Sequence, residues 1–183
     1  MDGRPPFLNL SDLGEDELAS VIADLGREHV EGRSQRTFER RYMDLRRQTE
    51  ARLRELFTGR GGKMQRSSPH YLVLGTSGWF QALSPTMRSV AIDLADLPAA
   101  STSITYPDSV VAMRCGVDFG LPDIEKPYHD QVYLLGELPD LIARYGLPDD
   151  QADEDYSGYE FREFEKFVEI QVWNDDVLDQ VAL

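Results

Sequence analysis

The sequence predicts an α+β fold, with N-terminal helices followed by a mostly antiparallel, strand-rich half. Apolar residues recur every three or four positions through residues 18–56, whereas short apolar or alternating runs bounded by turn residues dominate afterwards. A length of 183 residues suits one compact domain. We read it as a single domain, 1–183, with a helical part at 1–62 and a strand-rich part at 63–183.

Taken in order, Ser11-Asp12-Leu13-Gly14-Glu15-Asp16-Glu17 is a helix-start signal ahead of Leu18, Val21, Ile22 and Leu25, and Gly26 is the expected stop. The longest helix follows, with Phe38, Tyr42, Leu45, Thr49, Leu53 and Leu56 on one face. Arg40, Arg41, Arg46, Arg47, Arg52 and Arg54 alternate with Glu39, Asp44, Glu50 and Glu55 at spacings that allow surface pairing. Gly59, Gly61 and Gly62 end it. Because Gly59-Arg60-Gly61-Gly62-Lys63 follows a helix instead of opening one, it reads as a terminating turn more than as a phosphate cradle. Strands are expected at Tyr71–Thr76, Arg88–Leu94, Ser101–Tyr106, Val110–Cys115, Gln131–Leu135 and Phe167–Trp173. A short helix is expected at Leu138–Tyr145, an acidic loop at 149–158 and an acidic helical turn at Asp175–Val181.

Composition narrows the function. Apolar content of 41% and aromatic content of 10% exclude a wholly disordered chain. A single cysteine, Cys115, excludes an internal disulfide framework and reads as a small buried hydrophobe. His29, His70 and His129 lack metal-ligand spacing, so no metal is expected. A net charge of −14 argues against a nucleic-acid partner. The charge is uneven: Arg27–Arg66 carries 12 basic and 6 acidic residues, while 12 acids lie from Asp149 onward. No secretory leader or membrane-spanning stretch is visible, which makes a cytoplasmic setting, away from membranes, the expectation. Nucleotide-loop, zinc-protease and serine-hydrolase motifs are absent.

Two stretches carry candidate chemistry. On a strand, Val168, Ile170 and Val172 face one side while Phe167, Glu169, Gln171 and Trp173 face the other, setting a carboxylate and an amide between two aromatics. In Ser101-Thr102-Ser103-Ile104-Thr105-Tyr106, alternation gives Ser101, Ser103 and Thr105 one face, a hydroxyl row able to hold a carboxylate or a ligand. Each stretch also fits an ordinary half-exposed strand.

Three blocks in order resemble bacterial ADP-ribosyltransferase-fold domains, toxin-type members and an uncharacterised relative among them. Ser68-Pro69-His70-Tyr71-Leu72-Val73-Leu74 is similar to a family strand reading Arg-Pro-x-Tyr-Gly-Ala-Leu. Ser103-Ile104-Thr105-Tyr106-Pro107-Asp108-Ser109 is similar to Thr-Phe-Thr-x-Gly-Asp-Ser. Phe167-Val168-Glu169-Ile170-Gln171-Val172-Trp173 is similar to Tyr-Ile-Glu-Ala-Gln-Val-His-Gly. The resemblance implies a split sheet and cleavage of the nicotinamide–ribose bond of NAD, with transfer to a target. It implies a catalytic Glu169 that stabilises the charge developing on the ribose, as in glycoside cleavage. It further implies Ser103 and Thr105 as braces for that carboxylate, Tyr71 or Tyr106 as a stacking surface for nicotinamide, and Gln171 beside the cofactor, with Asp108-Ser109 closing the turn. The chain departs from the family at Ser68, where the family has arginine (Arg66 lies two residues earlier), at Leu72 and at Trp173-Asn174. Those departures also suit a domain that keeps the fold without the activity.

The competing reading is a non-catalytic acidic binding module, of an immunity or antitoxin type, whose partner is a basic protein. Asp149, Asp150, Asp153, Glu154 and Asp155 would steer that partner.

Overall fold

A computed structural model describes residues 9–34, 40–83, 88–120, 123–148, 167–176 and 178. Its helices are α1 (Glu15–Val30), α2 (Arg40–Gly59), α3 (Gly78–Ala82), α4 (Ser109–Ala112) and α5 (Leu138–Tyr145). The strands are β1 (His70–Val73), β2 (Thr102–Thr105), β3 (Tyr133–Leu134) and β4 (Glu169–Val172). They form one sheet in the order β1-β4-β2-β3, antiparallel at every pairing. This is an α+β fold with helices leading. The predicted acidic loop at 149–158 lies outside the described residues, as does most of the C-terminal turn.

Alternation along the strands divides the sheet into two unlike faces. Ile104, Ile170 and Val172 lie in an apolar cluster with Leu138 and Leu141 of α5, together with Leu97, Tyr106, Tyr128 and Val168. On the opposite face Trp173 packs with Leu53 and Phe57 of α2, Ala112 of α4, and Met113, Cys115 and Val132. That second face is apolar at its Trp173 end and polar at its Glu169 end. The long helix α2 covers it, and this helix positions the site.

Several elements differ from the sequence expectation. Helix α1 runs through Gly26 to Val30, because the left-handed residue that ends it is Gly32 at φ 72°. Acids in its first turn and Arg27 and His29 in its last complement the helix dipole. Val110–Cys115 is not a strand: Asp108 accepts hydrogen bonds from the Val110 and Val111 amides and caps α4 there. Residues 88–93 join no ladder, since the Asp93 side chain accepts from the Ala95 amide and closes a 3-10 turn at Leu94–Asp96. The buried stripe of α2 is also rotated by about one residue from the expected one. Met43, Thr49, Glu50, Leu53 and Phe57 are buried, whereas Tyr42, Leu45 and Leu56 are only partly so.

The turn after α2 is a close-packed joint. Gly62 donates its amide to the Phe57 carbonyl, and a Cβ built on Gly62 would sit 2.5 Å from the Phe57 ring. That ring is fully buried and stacked 6.1 Å from the Trp173 ring, so it has little room to retreat. Gly62→Ala is therefore expected to cost about 1–3 kcal/mol of stability. Urea unfolding reads this directly, and an unchanged midpoint would mean that the Phe57–Trp173 stack yields.

Candidate functional site

The register of β4 against its neighbours builds the polar end of the sheet. Gln171 lies between Tyr71 of β1 and Ser103 of β2, and Glu169 lies between Val73 and Thr105. Cross-strand partners share a face. Glu169, Gln171, Tyr71, Ser103 and Thr105 thus project toward α2 together.

Their side chains form a connected row. Trp173 Nε1 donates to Ser103 Oγ at 2.9 Å, and Ser103 Oγ donates to Gln171 Oε1 at 2.9 Å. Gln171 Nε2 then donates to Thr105 Oγ1 at 2.9 Å and to Glu169 Oε1 at 3.1 Å. Such a chain polarises in one direction and is strengthened by the low surrounding dielectric. Ser103, Thr105 and Gln171 are each 0% exposed, whereas Glu169 retains a partly exposed side chain. The row ends on the Glu169 carboxylate.

Glu169 is perturbed accordingly. Burial is the largest influence and the nearby Asp108 carboxylate adds to it, pushing the group up to about 7. The Ser109 hydroxyl, Gln171 and the Arg46 guanidinium all favour the ionised form and limit the rise. The hydroxyls of β2 therefore brace the carboxylate through Gln171, not by touching it. Leucine at position 171 would strand the Ser103 and Thr105 hydroxyls in a buried setting. Gln171→Leu is expected to cost about 1–3 kcal/mol; a thermal midpoint equal to that of the native chain would contradict the row as drawn.

Helix α2 adds a second group of polar residues to this face. Glu50 Oε1 accepts hydrogen bonds from Ser11 Oγ at 2.9 Å, Tyr71 Oη at 3.1 Å and Arg46 Nε at 3.2 Å. Arg46 also donates to Tyr42 Oη at 3.0 Å and Asn9 Oδ1 at 3.1 Å, and its guanidinium lies 4.4 Å above the Tyr71 ring. Burial raises the Glu50 carboxyl above its ordinary value, with Arg46 opposing. Burial likewise drives the Tyr71 phenol well up, helped by Glu50. Around Arg46, burial opposes the charge, but the Tyr42, Tyr71 and Glu50 groups together outweigh it and hold the guanidinium charged.

These placements correct two expectations. Tyr106 belongs to the other face, where its hydroxyl donates to the Tyr145 carbonyl at 3.0 Å and its ring meets Tyr128 edge-on. It does not converge with Glu169, because one step along a strand reverses the side chain. Tyr71 does share the face of Glu169, but Arg46 already covers its ring.

Arg66, two residues before Ser68, is committed elsewhere. It pairs with Asp12 and Asp175, and its amide bonds the Trp173 carbonyl at the far end of β4 from Glu169. Beside it Ser68 donates to Asp12, and His70 Nε2 lies 2.8 Å from Asp175 Oδ1.

Arg46 and Glu50 are the residues of this face that sequence reasoning missed, since their spacing of four on a charged helix reads as a surface pair. The available signal was their place on the same stripe as Met43, Leu53 and Phe57. Among the described residues no group of three or more His, Cys, Asp or Glu side chains is arranged to hold a metal ion. No helix among them is long and apolar enough to cross a membrane. The chain matches no known protein family, and comparison with curated proteins and with solved structures also gives no match.

Proposed function

We propose that this chain is an ADP-ribosyltransferase-like domain that cleaves the nicotinamide–ribose bond of NAD and transfers ADP-ribose to a target. The observation that carries this reading is the setting of Glu169: a half-buried residue whose carboxylate ends a buried hydrogen-bonded row, on one face with Ser103 and Thr105. NAD supplies a positively charged leaving nicotinamide. A fixed carboxylate beside the ribose stabilises the positive charge that grows there, and such preorganised groups are worth several kcal/mol.

The residues fit the ribose end of NAD. Glu169 would supply the carboxylate for ribose hydroxyls, and Gln171 donates to it and holds it in one orientation. The diphosphate end is less well served, because Arg46 beside Glu169 and Arg66 at the other end of β4 both have carboxylate partners. Weak affinity for NAD is the consequence. A cytoplasmic setting suits the reading, since NAD is available there and Cys115 stays a buried free thiol.

Thermal stability with added NAD tests the binding step. A ligand at about 100 times its Kd raises stability by about 2.7 kcal/mol, an easily read rise in Tm. No shift at millimolar NAD, and none with nicotinamide, would favour the acidic binding module. That reading draws on the net charge of −14. It predicts salt-sensitive co-purification with a basic protein, weakened when Asp149, Asp150, Asp153, Glu154 and Asp155 are neutralised.

A further inference from the structure

We infer that Arg46 is a positioning residue for Glu169: helix α2 lays its guanidinium over Tyr71, the diagonal neighbour of Glu169 on the sheet, and fixes the charge that this carboxylate faces. The inference rests on Glu169 being the functional carboxylate, and it names the group that regulates it. On one face of an antiparallel pair, diagonal neighbours lie about 7–8 Å apart, close enough for a long side chain stacked on one to act on the other. Tyr71 pairs with Gln171, two residues along β4 from Glu169, so it occupies that diagonal position.

The guanidinium is held there from several directions. Its Nε bonds Glu50 and Ser11, its two terminal nitrogens bond Tyr42 and Asn9, and its Cζ lies 4.4 Å from the Tyr71 centroid. Only 20% of the side chain is exposed, so water screens its charge poorly. Arginine suits the position because a planar fork both stacks on an aromatic ring and bonds several acceptors at once. Three of those partners come from outside the helix turn: Asn9 and Ser11 from the N-terminal segment, and Tyr71 from β1. The N-terminal 3-10 turn at Leu10–Asp12 therefore belongs to the machinery that aims Arg46, and Asn9 is itself anchored through a bond from Nδ2 to the Pro69 carbonyl at 2.8 Å.

Among the described residues, the charged and titratable groups that face Glu169 or adjoin it are Asp108 from the turn before α4, Tyr71 from β1, and Arg46 and Glu50 from α2. Asp108 disfavours the anion and Arg46 favours it. Asp108 is fixed by the α4 amides. Arg46 is fixed in turn by its own partners, and Glu50 offsets part of its charge.

The test follows the Glu169 carboxyl carbon by NMR titration in the full chain, with nicotinamide release measured separately. Arg46→Lys keeps the charge and loses the fork, and should leave the Glu169 midpoint within about 0.3 unit of the native value. Arg46→Gln removes the charge and should raise the midpoint by about 0.5–1 unit. Glu50→Gln retains the acceptor oxygen that Ser11, Tyr71 and Arg46 use, so it guards against an unfolded Arg46→Gln chain. It leaves Arg46 less compensated and should lower the midpoint. Midpoints that stay put in both Arg46→Gln and Glu50→Gln overturn the inference. A chain in which the midpoints move as expected, yet none of the variants nor the native protein releases nicotinamide, retains the Arg46 inference and refutes the NAD reading.

Discussion

Glu169→Gln is expected to make the protein more stable and less active at once. The sign follows from proton linkage. In the folded chain Glu169 holds its proton up to about 7, against an ordinary value of 4.5. Between those two pH values the folded state binds more protons than the unfolded state, so stability contributed by this group is complete below 4.5 and is lost as pH rises through 7. At pH 8 the native chain carries an ionised carboxylate in a setting that resists it, at a cost of about 1–3 kcal/mol. Glutamine keeps the acceptor for Gln171 and removes the charge. Unfolding midpoints at pH 5 should differ little between the two chains, while at pH 8 the variant should be the more stable by that amount. Nicotinamide release should fall by about 100- to 1,000-fold, the usual loss when one preorganised group is removed from a developing charge. A variant destabilised at pH 8 would show that Glu169 is a structural carboxylate, paired more favourably than its surroundings suggest.

Glu50→Ala is expected to produce the largest loss of stability, about 3–5 kcal/mol. Only 6% of the Glu50 side chain is exposed, and one of its oxygens accepts from Ser11, Tyr71 and Arg46. Truncation leaves a guanidinium, a phenol and a hydroxyl without their common acceptor, and the guanidinium has no easy route to water. Removing both charges together is a different matter, since an apolar pair of similar volume needs no desolvation. The Arg46→Met, Glu50→Leu double variant should therefore recover most of the loss, with a coupling energy of about 2 kcal/mol or more in a double-mutant cycle by urea unfolding. Additive single effects would contradict a shared network. The native pair is then best understood as kept for what it does to the neighbouring carboxylate, at some expense of stability.

Sequence alone made the composition of the site legible, though not its assembly. Period-two alternation assigns Glu169 and Gln171 to one face of their strand, and Ser103 and Thr105 to one face of theirs. The structure brings those two faces together. The same alternation also separates Tyr106 from Thr105. Tyr106 joins the candidate site only through what the resemblance implies, and the structure places it on the other face. Register is a property of the whole sheet, so that Gln171 opposes Ser103 on one side and Tyr71 on the other was not readable from local pattern. Arg46 and Glu50 were hidden because a hydrophobic stripe is read from apolar residues, and these two charged residues interrupt the stripe between Met43 and Leu53. Val110-Val111 read as strand because β-branched residues favour it, but the Asp108 cap binds their amides first.

The pH dependence of nicotinamide release from NAD, measured in the native chain and in Glu169→Gln, tests the central claim most directly. The native rate should climb with pH through about 7 as Glu169 ionises, and the Glu169→Gln rate should be low and flat across the same range. Release no faster than spontaneous hydrolysis at every pH, or a pH profile that survives in Glu169→Gln, would contradict the account.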